Sequence, residues 1–130
     1  MLDQHISPAG TIEAQAYIVN TNGADVDLAN FDAATFVFDI GVVTTDGLVF
    51  TIEEAPDDGT GSPGAYTVVA AAFLKGIIPV PTTVLDQLTA QVGYLGSQRF
   101  VRAVVTDTGI GDGVLSVVVI RAKGRRPDLT

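Results

Sequence analysis

Apolar and polar residues alternate with a period of two along most of this 130-residue chain, and the 3.6-residue period of a helix is scarce. The stretch "ATFVFDIGVV" puts Phe36, Phe38, Ile40 and Val42 on one face, with Thr35, Val37, Asp39 and Gly41 opposite. "GLVFTIEE" does the same with Leu48, Phe50 and Ile52 against Val49, Thr51 and Glu53. Between them "TTDG" (44–47) predicts a hairpin loop, because Asp-Gly supplies the positive φ that such turns need. "AYTVVAAA" predicts a further strand after the polar turn "APDDGTGSPGA". "QRFVRAVVT" and "GVLSVVVIRAK" predict a last pair joined by "DTGIGDG". An early strand, "TIEAQAYIVN", stops at the turn signal "TNGAD", and "AQVGYL" predicts one more short strand.

The alternation fails between Phe73 and Gln91. "FLKGIIPVPTTVLDQLTAQ" has room for a helical turn around Val84 to Leu88, but Pro79 and Pro81 exclude a long helix, so an irregular crossover between sheets is expected. Six to eight short strands with turn signals between them predict an all-β fold, an antiparallel β-sandwich of jelly-roll or Greek-key kind. One sandwich domain is expected over 1–122, with an extended C-terminal tail over 123–130, where the alternation has ended.

Charge sharpens this picture. Residues 1–74 hold eleven carboxylates and no Lys or Arg, whereas 75–130 hold four carboxylates and all seven bases. Such a split favours head-to-tail contact between copies, unless folding interleaves the two halves and mixes the charges. "MLDQHISPAG" has neither the basic nor the apolar region of a signal peptide, and no run reaches the length of a membrane span. A soluble protein without a membrane partner is expected. There is no cysteine, which removes thiol nucleophiles and cysteine-ligated zinc.

Little else in the chain is suited to chemistry. The single histidine, His5, lies in a terminal segment, and there is no G-x-S-x-G elbow. "GTGSPG" (59–64) lacks the lysine and following helix of a phosphate loop. "DTGIGDG" and "EEAPDDG" gather carboxylates at no recognised calcium spacing, and solvated turns explain both, although the sequence leaves calcium open there. An acidic total disfavours direct nucleic-acid binding, even though "RAKGRRP" alone would suit phosphates. No catalytic residue, metal or cofactor is expected, and the reading is non-enzymatic.

Three stretches carry a resemblance: "DVDLANFDAATFVFDIGVVTTDG" (25–47), "FTIEEAPDDGTGSPGAYTVVAAAFLKG" (50–76) and "VGYLGSQRFVRAVVTDTG" (92–109). Together they resemble a family of small virion structural proteins from the head genes of tailed bacteriophages, prophages and gene transfer agents. Gly93, Tyr94, Gly96, Arg99 and Arg102 fall at the family-like spacing. The resemblance implies a capsid decoration or vertex-spike base protein, made in the host cytoplasm and located on the capsid surface. Its implied partners are the major capsid protein, like copies of itself and a spike or fibre protein. A head-to-tail connector or tail component is the alternative. A carbohydrate-binding sandwich ranks lower, since the chain has no Trp and only three Tyr.

The interface candidates are Tyr94, Arg99, Arg102, Arg121, Lys123, Arg125 and Arg126. Arg99 and Arg102 are three apart, so a regular strand sends them to opposite faces. One is then expected to reach solvent or a neighbouring copy, and the other to pair with Glu53 or Glu54. Wholly intramolecular pairing is the competing expectation. Tyr94 and Phe100 are expected as core or interface anchors, and Gly93 and Gly96 as the sites of a bulge or bend.

Overall fold

The computed structural model describes residues 5–123, in which ten strands and one short 3-10 turn occur and no α-helix. The first antiparallel sheet runs in the order β1 (His5–Tyr17), β10 (Asp112–Lys123), β4 (Ala33–Thr45), β8 (Leu88–Tyr94) and β7 (Leu74–Lys75). The second runs β2 (Thr21–Asn22), β9 (Phe100–Asp107), β5 (Leu48–Ala55) and β6 (Thr67–Val68), with β3 (Val26–Asp27) also paired to β9. The two pack as an antiparallel β-sandwich, as the alternation predicts.

The core follows from the period-two faces. Phe36, Phe38 and Ile40 of the first sheet meet Phe50 and Ile52 of the second, and all are buried. The Phe38 and Phe50 rings lie 4.8 Å apart between centroids, tilted at 55°. Each such side chain contributes about 1.5–3 kcal/mol by leaving water.

The connections differ from those expected. β4 and β5 lie in different sheets, so "TTDG" is a corner between layers and not a hairpin. β9 and β10 are likewise split between the sheets, and "DTGIGDG" is a second corner. The corners touch: Thr108 donates from its backbone N–H to the Gly47 carbonyl at 2.8 Å. Gly47 has φ +137°, and a Cβ there would sit 2.9 Å from the Gly111 nitrogen. The glycine that suits a hairpin thus serves a close crossing of two chains instead.

Val42 also departs from its expected face. The β4–β10 register steps from Ile40↔Leu115 to Val43↔Gly113, so β4 carries one extra residue there. That bulge inverts the alternation: Val43 is buried and Val42 is exposed. "AYTVVAAA" yields only the two paired residues of β6, at the edge beyond β5. The change of sheet after it is complete by β7, which pairs with β8, and residues 76–87 form a strap that returns to the same sheet. No helical turn forms at Val84 to Leu88, and Gln87 takes a φ of +52°.

Three polar ties lock the layers together. Thr11 is the buried polar residue of the core: its Oγ1 accepts from the Ala103 N–H of β9 and donates to the Ala24 carbonyl at 2.8 Å. Tyr94 of β8 donates its hydroxyl to Glu54 of β5 at 2.6 Å. Arg121 of β10 reaches the Asp27 carbonyl of β3 at 3.0 Å. The strand continues through Lys123, which pairs with His5 of β1, so the ladder takes in the first residue of the expected tail. Arg125 and Arg126 lie outside the described residues.

Candidate docking surfaces

The sandwich has two unlike ends. At one, β4 and β9 begin and β8 and β10 finish, which gathers Tyr94, Arg99, Arg121 and Lys123. At the other, four connections meet: 18–20, 46–47, 82–87 and 108–111.

At the first end the three described arginines are engaged within the chain. Arg99 sits one residue before β9 and forms a two-pronged pair with Asp27, its Nε and Nη2 both at 2.9 Å from carboxylate oxygens. Its Nη1 reaches Asp57 at 3.4 Å, and the guanidinium lies 5.0 Å from the Phe100 ring centre. This explains how Phe100, which alternation turns to the outer face of the second sheet, is nevertheless buried. The bonds from Arg99, assisted by Ala29, hold the Asp27 carboxyl below its ordinary range against a smaller opposing effect of burial.

Arg102 pairs with Glu53, the residue directly opposite it on β5, at 2.7 Å. Its guanidinium stacks 3.9 Å from the centre of the Tyr66 ring, and the Tyr66 hydroxyl donates to Asp25 at 2.7 Å. Glu54, the other expected partner, holds Tyr94 instead. Burial, then the neighbouring carboxylates Asp25 and Glu54 respectively, raise the pKa values of Tyr66 and Tyr94 well above the usual phenol value. Both arginines are therefore paired within the chain, and Arg99 does so from outside the strand, where the opposite-face argument does not apply.

Arg121 also points inward. Its Nη2 donates to the Ser7 Oγ at 2.7 Å, and its guanidinium lies 4.7 Å from the Phe31 ring centre. Gly96 fits under the Tyr94 ring, where a Cβ would come within 2.6 Å of Cζ, so close approach accounts for this glycine. A groove of about 510 Å³ opens beside these residues, lined among others by Leu28, Phe31, Ala34, Tyr94 and Arg99. Its tyrosine and arginine are the ones already tied to Glu54, Asp27 and Asp57.

The acidic turns organise themselves. Asp57 Oδ1 accepts from the Gly59 and Gly61 amides, and Asp58 Oδ1 from the Thr60 amide and hydroxyl. The Thr60 hydroxyl leads in holding the Asp58 carboxyl below its ordinary range. Asp107 Oδ1 accepts from the Gly109 and Gly111 amides. These are turn-forming bonds. No group of three or more His, Cys, Asp and Glu suited to a metal ion occurs among the described residues.

The second end is built differently. Asp107 donates its N–H to Asn20 Oδ1 at 2.7 Å, Thr108 bonds Gly47, and Thr83 donates its N–H to Asp46 Oδ1 at 2.7 Å. Three hydrogen bonds therefore stitch the four connections into one surface. From it project Ile18, Val19, Val84, Leu85 and Ile110, with Val84 and Ile110 84% and 79% exposed. Asp46, Asp86, Asp107 and Asp112 surround them, and none has a cationic partner among the described residues. All five described Lys and Arg residues stand toward the first end.

The Arg102–Glu53 pair was legible from adjacent strands. Asp27 and Asp57 were not, since 72 and 42 residues separate them from Arg99 without a local signal. Arg121 had one: it continues the inward face of Val117 and Val119. No protein-family model, curated protein or solved structure matches this chain.

Proposed function

We propose that this chain is a non-enzymatic structural component of a tailed-phage or phage-like particle, a capsid decoration or vertex-spike base protein. One observation carries the reading: the described arginines near the groove are engaged in bonds within the chain, while the opposite end offers apolar loop tips among carboxylates. A catalytic site needs convergent groups free to bind and exchange protons with substrate. A docking protein needs a rigid frame and a wettable apolar face, because repeated weak contacts are multiplied by the symmetry of a particle. The resemblance of residues 25–47, 50–76 and 92–109 to phage head proteins points the same way.

The test is co-purification. Particles from cells carrying an epitope-tagged copy are banded on a density gradient and washed in high salt. The tagged chain should travel with filled heads at a fixed ratio to the major capsid protein. Recovery only at the top of the gradient contradicts the proposal, and recovery with tails detached from heads favours a tail or connector position.

A further inference from the structure

We infer that the outer face of the first sheet docks against the same face of a second copy, which makes this chain a two-fold dimer. The first argument is what that face is made of. An antiparallel sheet with one side in water alternates apolar inward and polar outward residues. β10 does not. Val117 and Val119 are buried against the second sheet, yet Val114, Val118 and Ile120 point the other way. The register sets Val118 beside Val37 of β4, and the bulge adds Val42 to the same side. Across β10, β4 and β8 the outward positions hold one charged residue, Asp39, while Glu13 and Lys75 lie out on the edge strands β1 and β7. A strand apolar on both sides has the pattern of one covered on both. The outer face of the second sheet is different, because the chain closes it with its own side chains. There Arg99 lies over Phe100, and Arg102 pairs with Glu53 and stacks on Tyr66.

The second argument selects the occupant. Four strands at about 4.8 Å spacing, with about ten residues along β4 and β10 at about 3.3 Å each, make a face of about 600 Å² per copy. Two such faces reach the lower bound of a specific interface, about 1,200 Å², before side-chain relief is added. Strands twist in one sense, so two copies of one sheet stack by the same packing that joins the layers of a sandwich. The face also supplies both halves of a contact. Beside Val118 across β1 stands Gly10, with no atom within 4 Å of where a Cβ would be, so a hollow adjoins the Val118 and Ile120 ridge. In an isologous pair each copy offers its ridge to the hollow of the other. Charge completes the choice. At a net −8 two copies repel where carboxylates meet, and the central strands of this face bring Asp39 alone. This inference stands apart from the particle reading, since it concerns only the chain with itself.

Sedimentation velocity of the full chain should show a monomer–dimer equilibrium that stops at two copies. Molar salt should leave it unweakened, because screening acts on charges and the contact is apolar. Val118→Lys should be monomeric with an unchanged circular-dichroism spectrum. The chain has no cysteine, so Val118→Cys gives a second reading that requires no loss of association. A flexible bifunctional thiol reagent should join two copies at that position. Thr106→Cys, on the outer face of the second sheet, should stay unlinked. Association of Val118→Lys to the same extent as the parent chain, or linking at 106 and not at 118, overturns the inference. So does a parent chain that stays monomeric; if Val118→Lys is then lost from particles, the face belongs to the capsid.

Discussion

Tyr94 ties β8 to β5 through one hydroxyl, and the same oxygen accepts from the Gln98 N–H at 3.1 Å. Replacing it with Phe keeps the ring over Gly96 but leaves Glu54 without its donor. The expected loss is about 1–2 kcal/mol in urea unfolding, as for a hydrogen bond to a charged group at a half-buried site. Thr11 is a stricter case, because the Ala103 N–H that it accepts is buried between the sheets. Thr11→Val should cost about 1–3 kcal/mol, while Thr11→Ser, which keeps the oxygen, should retain most of the stability. Thr11 could not be singled out in the sequence. It lies in an alternating strand where Thr is an ordinary β residue, and its partners are fixed only by the approach of β9.

At the scale of elements, the strands were legible and their partners were not. Alternation shows that 36–40 and 48–52 each bury one face, but a two-layer fold permits the intervening turn either to pair those strands or to carry the chain across. Here it crosses, and Gly47 meets Gly111. Gly47→Ala should therefore destabilise by more than about 1 kcal/mol, since it adds a Cβ at a positive φ against another backbone. Gly59→Ala, also at positive φ but with open space around it, isolates the conformational part of that cost. A similar loss in both variants would show that the crowding at the corner contributes nothing. The bulge after Gly41 was likewise illegible, because an extra residue that inverts a face leaves no mark in the pattern it inverts.

Across the whole molecule, the paired charges set a pH profile. Asp27 has a folded pKa below the unfolded value of about 3.9, so its contribution is complete above that value and is lost as pH falls through the lower one. Tyr66 and Tyr94 are shifted the other way. Their contributions are whole below the unfolded phenol value of about 10 and are lost as pH climbs from there toward the raised values. Stability should thus form a plateau between about pH 4 and pH 10. The Tyr66→Phe, Tyr94→Phe double variant should leave the acid side unchanged and make the alkaline side shallower without abolishing it, since Tyr17, whose pKa burial also raises, still contributes there. An alkaline limb as steep as before would show that these hydroxyls do not set it.

Folding also reshapes the charge split along the sequence. Acid-rich and base-rich halves interleave at the groove end, where Arg99 meets Asp27 and Arg102 meets Glu53, but no described cation stands at the loop end. Among the described residues the groove end therefore carries charges of both signs, and the loop end carboxylates alone. The most direct measurement of the account is a cryo-EM map of the parent particle at a resolution that traces this chain. The account predicts the sandwich on the outer face or at a vertex of the capsid, with its loop end covered. Density for the chain confined to the neck or tail, or a particle map fully explained without it, would contradict the proposed function.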